Sequence, residues 1–186
     1  MQLAFPFQAL RQPAHALQLV QAAHIARGVK PGESGVPARA PYYYFDSTAL
    51  VKRYSMERGT RIVNRLMVKR SKVAIVPTLS VTDFYTAFAN RAHHGEITRD
   101  DCYSVIHKFE KESQEGLYQF IAPTMQTNLA TKELALEYPS LRTPHVLHLA
   151  LALELKPLRL TVVSADAPLL EACRSAGLHI INPEDD

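Results

Sequence analysis

The chain has 186 residues, of which 47% are hydrophobic and 21% are charged, and its two cysteines form no closely spaced pair. These totals are typical of a globular protein with one substantial core, and they argue against a disordered, fibrous or disulfide-stapled chain. The formal net charge of +3 resides in residues 1–40, which hold four basic residues and one acidic residue. The rest of the chain is therefore neutral and exerts no long-range attraction on a polyanion.

The N-terminal part differs in composition from the rest of the chain. Residues 28–41 carry three glycines and three prolines and almost no apolar side chain, which is typical of a linker. We therefore predict an N-terminal extension and linker over residues 1–40 and a single domain over residues 41–186. The sequence contains no apolar run of the roughly 18 residues that would span a bilayer. We expect a cytoplasmic protein without a membrane segment, in which both cysteines are reduced.

Beyond the linker, short apolar runs alternate with stretches of helical periodicity. Strands are predicted at residues 42–45, 73–76, 117–122, 160–165 and 178–181. Helices are predicted between them, and Thr98 is the expected N-cap of the helix that follows it. Strands of four to six residues separated by helices indicate a parallel sheet covered by helices on both faces. The predicted fold class is therefore α/β, with three layers.

Two of the predicted strands lead into an aspartate. Asp46 follows "YYYF", Asp166 follows "LTVVSA", and each residue also opens a helix. Both residues could be helix N-caps, because aspartate is a preferred capping residue. The carboxyl ends of parallel strands meet at one edge of a sheet, however, and clustered carboxylates repel one another unless a cation compensates them. The sequence leaves both interpretations open, a pair of caps and a cation site.

A third carboxylate, Asp83, lies inside the helix that follows the strand "VAIV". Aspartate has a low helix propensity and caps nothing at this position. Ser80 lies one turn earlier on the same face of the helix. A solvated helix face is the alternative, but we expect Asp83 to join Asp46 and Asp166.

Four motifs in this order and spacing resemble a PIN domain, and most of all the branch that includes the VapC-like toxins of bacterial toxin–antitoxin pairs. The motifs are "YFDSTALVKRY", "PTLSVTDFYTAFANR", "RTPHVLHLALAL" and "TVVSADAPLLEACRSAGLHII", and the resemblance covers about residues 42–182. It implies a PIN-like fold and an acidic quartet that binds Mg²⁺ or Mn²⁺. It also implies an RNA substrate and a cognate antitoxin protein.

The resemblance assigns particular roles to residues of this chain. The catalytic and metal-binding positions fall on Asp46, Asp83, His145 and Asp166, the supporting hydroxyls on Ser47 and Ser164, and the candidate phosphate contacts are Lys52, Arg53, Arg91 and Arg142. Asp83 stands where the family usually has a glutamate, which is a mild change. His145 stands where the family usually has an aspartate, and imidazole suits Mn²⁺ or Zn²⁺ better than Mg²⁺. We expect His148, one turn later, to pack beneath the site.

The implied function is a metal-dependent endoribonuclease of toxin type that hydrolyses RNA phosphodiester bonds at a degenerate acidic site. His145 keeps an alternative open, a PIN-fold module without catalysis that binds RNA or a protein. A nucleotide-binding α/β protein is disfavoured, because no glycine-rich loop follows any predicted strand. We also expect a homodimer or a protein partner, since Phe84, Tyr85 and Phe88 are hard to bury together in one core.

Overall fold

The computed structural model describes residues 42–67 and 72–185, so the predicted N-terminal extension and linker lie outside the described residues. Five strands form one parallel sheet in the order β3-β2-β1-β4-β5. The strands are β1 (Tyr42–Phe45), β2 (Val73–Pro77), β3 (Tyr118–Ile121), β4 (Thr161–Val163) and β5 (His179–Ile181). All five predicted strands are thus confirmed, with small differences at their ends.

Helices connect the strands within the described ranges. They are α1 (Ser47–Lys52), α2 (Thr60–Met67), α3 (Thr78–His93), α4 (Arg99–Gln114), α5 (Met125–Glu137), α6 (Thr143–Glu154) and α7 (Ala167–Ser175), with a short 3₁₀ helix at Lys156–Leu158. Thr98 is the N-cap of α4, as predicted, because its hydroxyl accepts a hydrogen bond from the backbone N–H of Asp101. None of the helices in these ranges is long and apolar enough to cross a membrane.

The alternation of side chains along β1 separates two cores. Tyr44 points into the layer of α5, α6 and α7, where it packs with residues such as Leu149 and Leu169. Phe45 points into the opposite layer of α1 to α4, where Leu50 and Phe84 are buried. Successive side chains of a strand point to opposite faces, so a strand with helices on both sides is apolar at every position. The predicted three-layer α/β architecture is confirmed.

The aromatic side chains of α3 are accommodated within the single chain. Phe84 is 0% exposed and packs on Phe109 of α4, Phe88 is 2% exposed and packs on Phe84, and Tyr85 is half-buried. The expectation that these rings need a partner to cover them was therefore wrong, and the homodimer itself stays a prediction. The large apolar side chains exposed in the described ranges lie elsewhere, at Met56, Tyr103, Met125, Leu129 and Leu136.

The carboxyl ends of β1 and β4 lie side by side at one edge of the sheet. Phe45 is in register with Val163, and the backbone N–H of Asp46 donates to the carbonyl oxygen of Val163 at 3.3 Å. The residues that follow these two strands, Asp46 and Ser164, therefore begin neighbouring corners. This edge carries the candidate site.

Candidate active site

Asp46 is a buried helix cap at the β1–α1 corner. Its carboxylate is 2% exposed, and Oδ1 accepts a hydrogen bond from the backbone N–H of Ala49 at 2.9 Å. The hydroxyl of Thr48 lies 2.8 Å from Oδ1 and 2.9 Å from Oδ2, and the hydroxyl of Ser164 donates to Oδ2 at 2.7 Å. Both carboxylate oxygens are thus engaged by donors of the chain itself.

Ser164 and Thr48 tie the two corners of the sheet together. Ser164 donates to Asp46, and its hydroxyl oxygen accepts the backbone N–H of Asp166 at 2.9 Å. The hydroxyl oxygen of Thr48 accepts the backbone N–H of Ala165 at 2.8 Å. These bonds hold the loop after β4 against the start of α1, so the positions of the two aspartates are coupled.

The environment of Asp46 changes its acidity. Burial raises the pKa of Asp46 to about 6, although the hydrogen bonds from Ala49, Ser164 and Thr48 act in the opposite direction. The neighbouring carboxylate of Asp166 adds to the rise. A buried carboxylate next to another carboxylate is costly to ionise, which is the electrostatic situation that a cation would relieve.

Asp166 is the cap of α7, and its second oxygen faces two basic side chains. Oδ1 accepts the backbone N–H of Leu169 at 2.9 Å. Oδ2 lies 3.3 Å from His145 Nε2 and 3.7 Å from Arg142 Nη2. The second oxygen of Asp166 therefore lies beside one permanent positive charge, the exposed guanidinium of Arg142, and beside an imidazole.

The two basic groups belong to the start of α6. Arg142 is the N-cap residue, and its side chain makes no capping hydrogen bond and is 77% exposed. His145 lies in the first turn with its side chain 11% exposed, and its Nδ1 is buried without a hydrogen-bond partner in the described part of the chain. Nε2 is therefore the nitrogen that His145 turns toward Asp166.

His148 packs beneath this turn, as the sequence predicted. It is 2% exposed, and its Nδ1 lies 2.9 Å from the hydroxyl of Tyr44, which also donates to the carbonyl oxygen of His148 at 3.2 Å. Burial, with a smaller effect of His145, lowers the pKa of His148 to about 3. His148 is thus a neutral residue that anchors α6 to the central strand β1.

The other predicted acidic and hydroxyl residues have fewer contacts. Asp83 lies in the second turn of α3 and is half-buried, and in the residues that the structure describes it makes no hydrogen bond or ion pair. Ser80 is fully buried one turn earlier with an unpartnered hydroxyl. Ser47 makes no hydrogen bond to Asp46 within the same ranges, and that role belongs to Thr48. The place of Asp83 in a common site stays a prediction.

The four predicted phosphate contacts differ in their exposure. Lys52 is buried and pairs with Glu184 at 2.5 Å, and Arg53 pairs with Glu112 at 2.7 Å. Arg91 donates to the hydroxyl of Ser55 and lies 3.5 Å from Glu57. Arg142 is the member of this set whose side chain is most exposed, and it lies beside Asp166. Of these four side chains, that of Arg142 is best placed to reach a polyanion.

The side chains at this edge do not fit the divalent ion that the resemblance implies. Mg²⁺ and Mn²⁺ prefer oxygen ligands with free lone pairs directed at one point. Asp46 accepts hydrogen bonds on both oxygens, as ligating carboxylates also do, so the misfit lies at Asp166, whose Oδ2 faces Arg142 and His145. Across residues 42–67 and 72–185, no three Asp, Glu, His or Cys side chains are grouped so that they could hold a metal ion.

Comparison with known structures identifies the fold. FitAcB from Neisseria gonorrhoeae is similar to the chain with a TM-score of 0.56 and 14% sequence identity, over 77% of this chain and 99% of that chain. VapBC2 from Rickettsia felis, bound to a DNA fragment from their promoter, is similar with a TM-score of 0.54 and 12% identity, over 76% of this chain and 98% of that chain. No family model and no curated protein sequence matches the chain.

FitB and VapC are PIN-domain toxins, so the five-stranded parallel sheet of this chain has the PIN-domain fold. The resemblance that the four sequence motifs indicated is confirmed for the fold. At 12–14% identity the likeness concerns the architecture and carries no information on the chemistry of the edge.

Proposed function

We propose that the chain is a toxin-type PIN-domain protein that binds RNA and a cognate antitoxin, and whose acidic edge does not support metal-dependent cleavage. The observation that carries this proposal is that the chain's own donors already engage both strand-end carboxylates. Asp46 accepts hydrogen bonds on both oxygens, and Asp166 caps α7 and faces a histidine and an arginine. Asp166, whose charge Arg142 partly compensates, attracts a dication less than a carboxylate without a basic neighbour would.

The proposed ligand at this edge is RNA. Arginine side chains supply many of the contacts that proteins make with phosphates, and Arg142 presents an exposed guanidinium next to the site. The fold is that of proteins of the toxin-type nuclease class, which supports a polyanionic ligand at the carboxyl edge. The low overall charge of the domain makes local contacts of this kind the main electrostatic attraction.

An antitoxin is the proposed protein partner. FitAcB and VapBC2 are complexes of a toxin with its antitoxin, and that of VapBC2 also contains promoter DNA. The PIN fold of this chain is the part that it shares with those assemblies. We therefore propose that a cognate antitoxin binds this chain, and that the two meet RNA in the cytoplasm.

A metal-dependent endoribonuclease is the second candidate, and one specific observation favours it. Ser164 joins the carboxylate of Asp46 to the backbone of Asp166, so the two acidic side chains share one edge. In this alternative Asp46, Asp83, His145 and Asp166 would bind Mg²⁺ or Mn²⁺. It requires Asp166 to give up its contacts with His145 and Arg142.

A single assay separates the two candidates. The full-length protein is mixed with fluorescein-labelled single-stranded RNA in Mg²⁺, in Mn²⁺ and in EDTA, and both anisotropy and RNA length are measured. We expect the anisotropy to rise in all three buffers while the RNA keeps its length. Shortening of the RNA that needs Mn²⁺ or Mg²⁺ and disappears in Asp46→Ala would establish the second candidate. No rise in anisotropy and no cleavage would contradict both.

A further inference from the structure

The side chains of Arg142 and His145 both approach one oxygen atom, Oδ2 of Asp166. His145 Nε2 lies 3.3 Å from Asp166 Oδ2, and Arg142 Nη2 lies 3.7 Å from the same atom. The two nitrogens are 3.4 Å apart. The family's acidic quartet is therefore altered here by two basic residues that lie together, Arg142 and His145. The sequence motif indicated only His145.

We infer that Arg142, held beside His145, is a built-in counter-charge for Asp166 in the place where a divalent ion would bind, so that no cation site forms while Arg142 is present. This inference rests on the proposed function and supplies its physical cause. It assigns to Arg142 a role in blocking a cation that is separate from any contact with phosphate.

The guanidinium is the stronger part of this block. An arginine side chain keeps its charge at every pH that a protein tolerates, whereas a neutral imidazole contributes only a dipole. A dication at Asp166 Oδ2 would lie within a few ångströms of that fixed positive charge. The Asp166 side chain is only 15% exposed, which limits screening at the carboxylate, whereas Arg142 is 77% exposed, so solvent weakens the repulsion without removing it.

Replacement of the histidine alone is therefore expected to fail. In His145→Asp the shorter carboxylate would end before the position of the imidazole Nε2, which lies 3.4 Å from Arg142 Nη2, but the exposed arginine side chain can move to meet it. The new carboxylate would pair with the guanidinium, so Arg142 would neutralise two carboxylates in place of one. Removal of Arg142 as well leaves two carboxylates without a counter-charge, and such a pair attracts a cation.

The experiment measures Mn²⁺ binding by the loss of the free-ion signal in electron paramagnetic resonance, which requires no activity. The full-length proteins are the wild type, Arg142→Ala, His145→Asp and the double variant Arg142→Ala/His145→Asp. The matched control is Arg174→Ala/His145→Asp, because Arg174 is an exposed arginine that pairs with Glu171 on α7. A second double variant, Arg142→Gln/His145→Asn, supplies amide oxygens that can ligate a metal ion but adds no negative charge. Circular dichroism verifies the fold of each.

We expect the double variant Arg142→Ala/His145→Asp to bind Mn²⁺ at least tenfold more tightly than His145→Asp or the Arg174 control, with no binding by the wild type. Arg142→Gln/His145→Asn should bind more weakly than the first double variant but more tightly than the wild type. Equal affinities of His145→Asp and the double variant would overturn the role of Arg142. The inference as a whole would be overturned if the wild type binds Mn²⁺. It would also be overturned if both double variants fold but neither binds Mn²⁺.

The proposed function fails separately from this inference. If the wild-type protein shows no rise in RNA anisotropy, the RNA-binding proposal is wrong even when the double variant gains Mn²⁺. If the wild type binds RNA but the double variant Arg142→Ala/His145→Asp does not bind Mn²⁺, the inferred counter-charge role is wrong, whereas the proposal of RNA binding is supported.

Discussion

The hydroxyl of Ser164 lies 2.7 Å from Oδ2 of Asp46 and fixes a buried carboxylate at the edge of the sheet. The same hydroxyl oxygen accepts the backbone N–H of Asp166. One side chain therefore holds the corners after β1 and β4 in a fixed relation, and the acidic edge depends on it for its shape as well as for its hydrogen bonds.

Loss of the Ser164 hydroxyl should destabilise the fold. In Ser164→Ala the buried carboxylate of Asp46 loses a donor and the N–H of Asp166 loses an acceptor. A buried group left without its partner costs about 1–3 kcal/mol, so the free energy of unfolding in urea should fall by that amount. Thr86→Ala is the matched control, because its hydroxyl bonds only a carbonyl in an exposed part of α3. Equal effects of the two variants would show that Ser164 has no special role.

The hydroxyl of Tyr44 should contribute to stability through His148. Tyr44→Phe keeps the ring in the core but removes a hydroxyl that donates to the carbonyl oxygen of His148 and lies within hydrogen-bond distance of its Nδ1. We expect a loss of about 1–2 kcal/mol in the free energy of unfolding. Tyr43→Phe should change it by less than about 0.5 kcal/mol, since that residue packs on the opposite face and is partly buried. Thermal denaturation of both variants checks the difference.

The raised pKa of Asp46 predicts a pH dependence with a definite sign. The pKa is about 6 in the folded protein and 3.8 ordinarily, so the folded state binds the proton more tightly than the unfolded state. The stability that Asp46 contributes therefore falls as the pH rises from about 4 to about 6, by about 3 kcal/mol. The lowered pKa of His148 makes the free energy of unfolding rise with pH, which is the opposite direction. His148 is present in both proteins compared below, so its effect cancels.

The comparison is between the wild type and Asp46→Asn, whose side chain does not titrate. From pH 4 to pH 7 the free energy of unfolding of Asp46→Asn should gain about 3 kcal/mol relative to the wild type. Urea denaturation at intervals of half a pH unit measures this. A difference between the two proteins that stays constant over the whole range would mean that Asp46 keeps an ordinary pKa.

The exposed guanidinium of Arg142 should contribute to RNA affinity. Arg142→Ala removes one phosphate contact, so the affinity for single-stranded RNA should fall for every sequence. The slope of log K against log salt concentration should become shallower by about 0.7. Arg174→Ala, which removes an exposed arginine on α7, should leave both quantities unchanged. Fluorescence anisotropy at four salt concentrations is the measurement, and equal losses in the two variants would indicate non-specific attraction alone.

The sequence was sufficient for the fold because the information needed was local. Apolar runs such as "YYYF" and "VAIV" have no helical period, and the helices between them start at readable caps such as Thr98. Parallel strands then place Asp46 and Asp166 at one edge without further assumptions. Both aspartates cap helices in the structure, and their part in a cation site stays a prediction.

The contacts that decide the chemistry of the edge join residues far apart in the sequence. Arg53 pairs with Glu112 and Lys52 with Glu184, so neither cation is free for a phosphate, and nothing near either residue in the sequence shows this. The proximity of Arg142 to Asp166 depends on how α6 meets the corner after β4. Thr48 rather than its neighbour Ser47 provides the hydroxyl that bonds Asp46. Which of the two does so depends on the direction of their side chains at a tight corner.

A crystal of the wild-type protein grown in Mn²⁺, with anomalous diffraction data collected at the manganese edge, tests most directly whether the chain's own side chains neutralise the acidic edge. The prediction is that no anomalous peak lies at Asp46 or Asp166, and that Arg142 and His145 remain in contact with Asp166 Oδ2. A peak coordinated by Asp46 and Asp166, with Arg142 and His145 turned away, would contradict it and would support the metal-dependent nuclease.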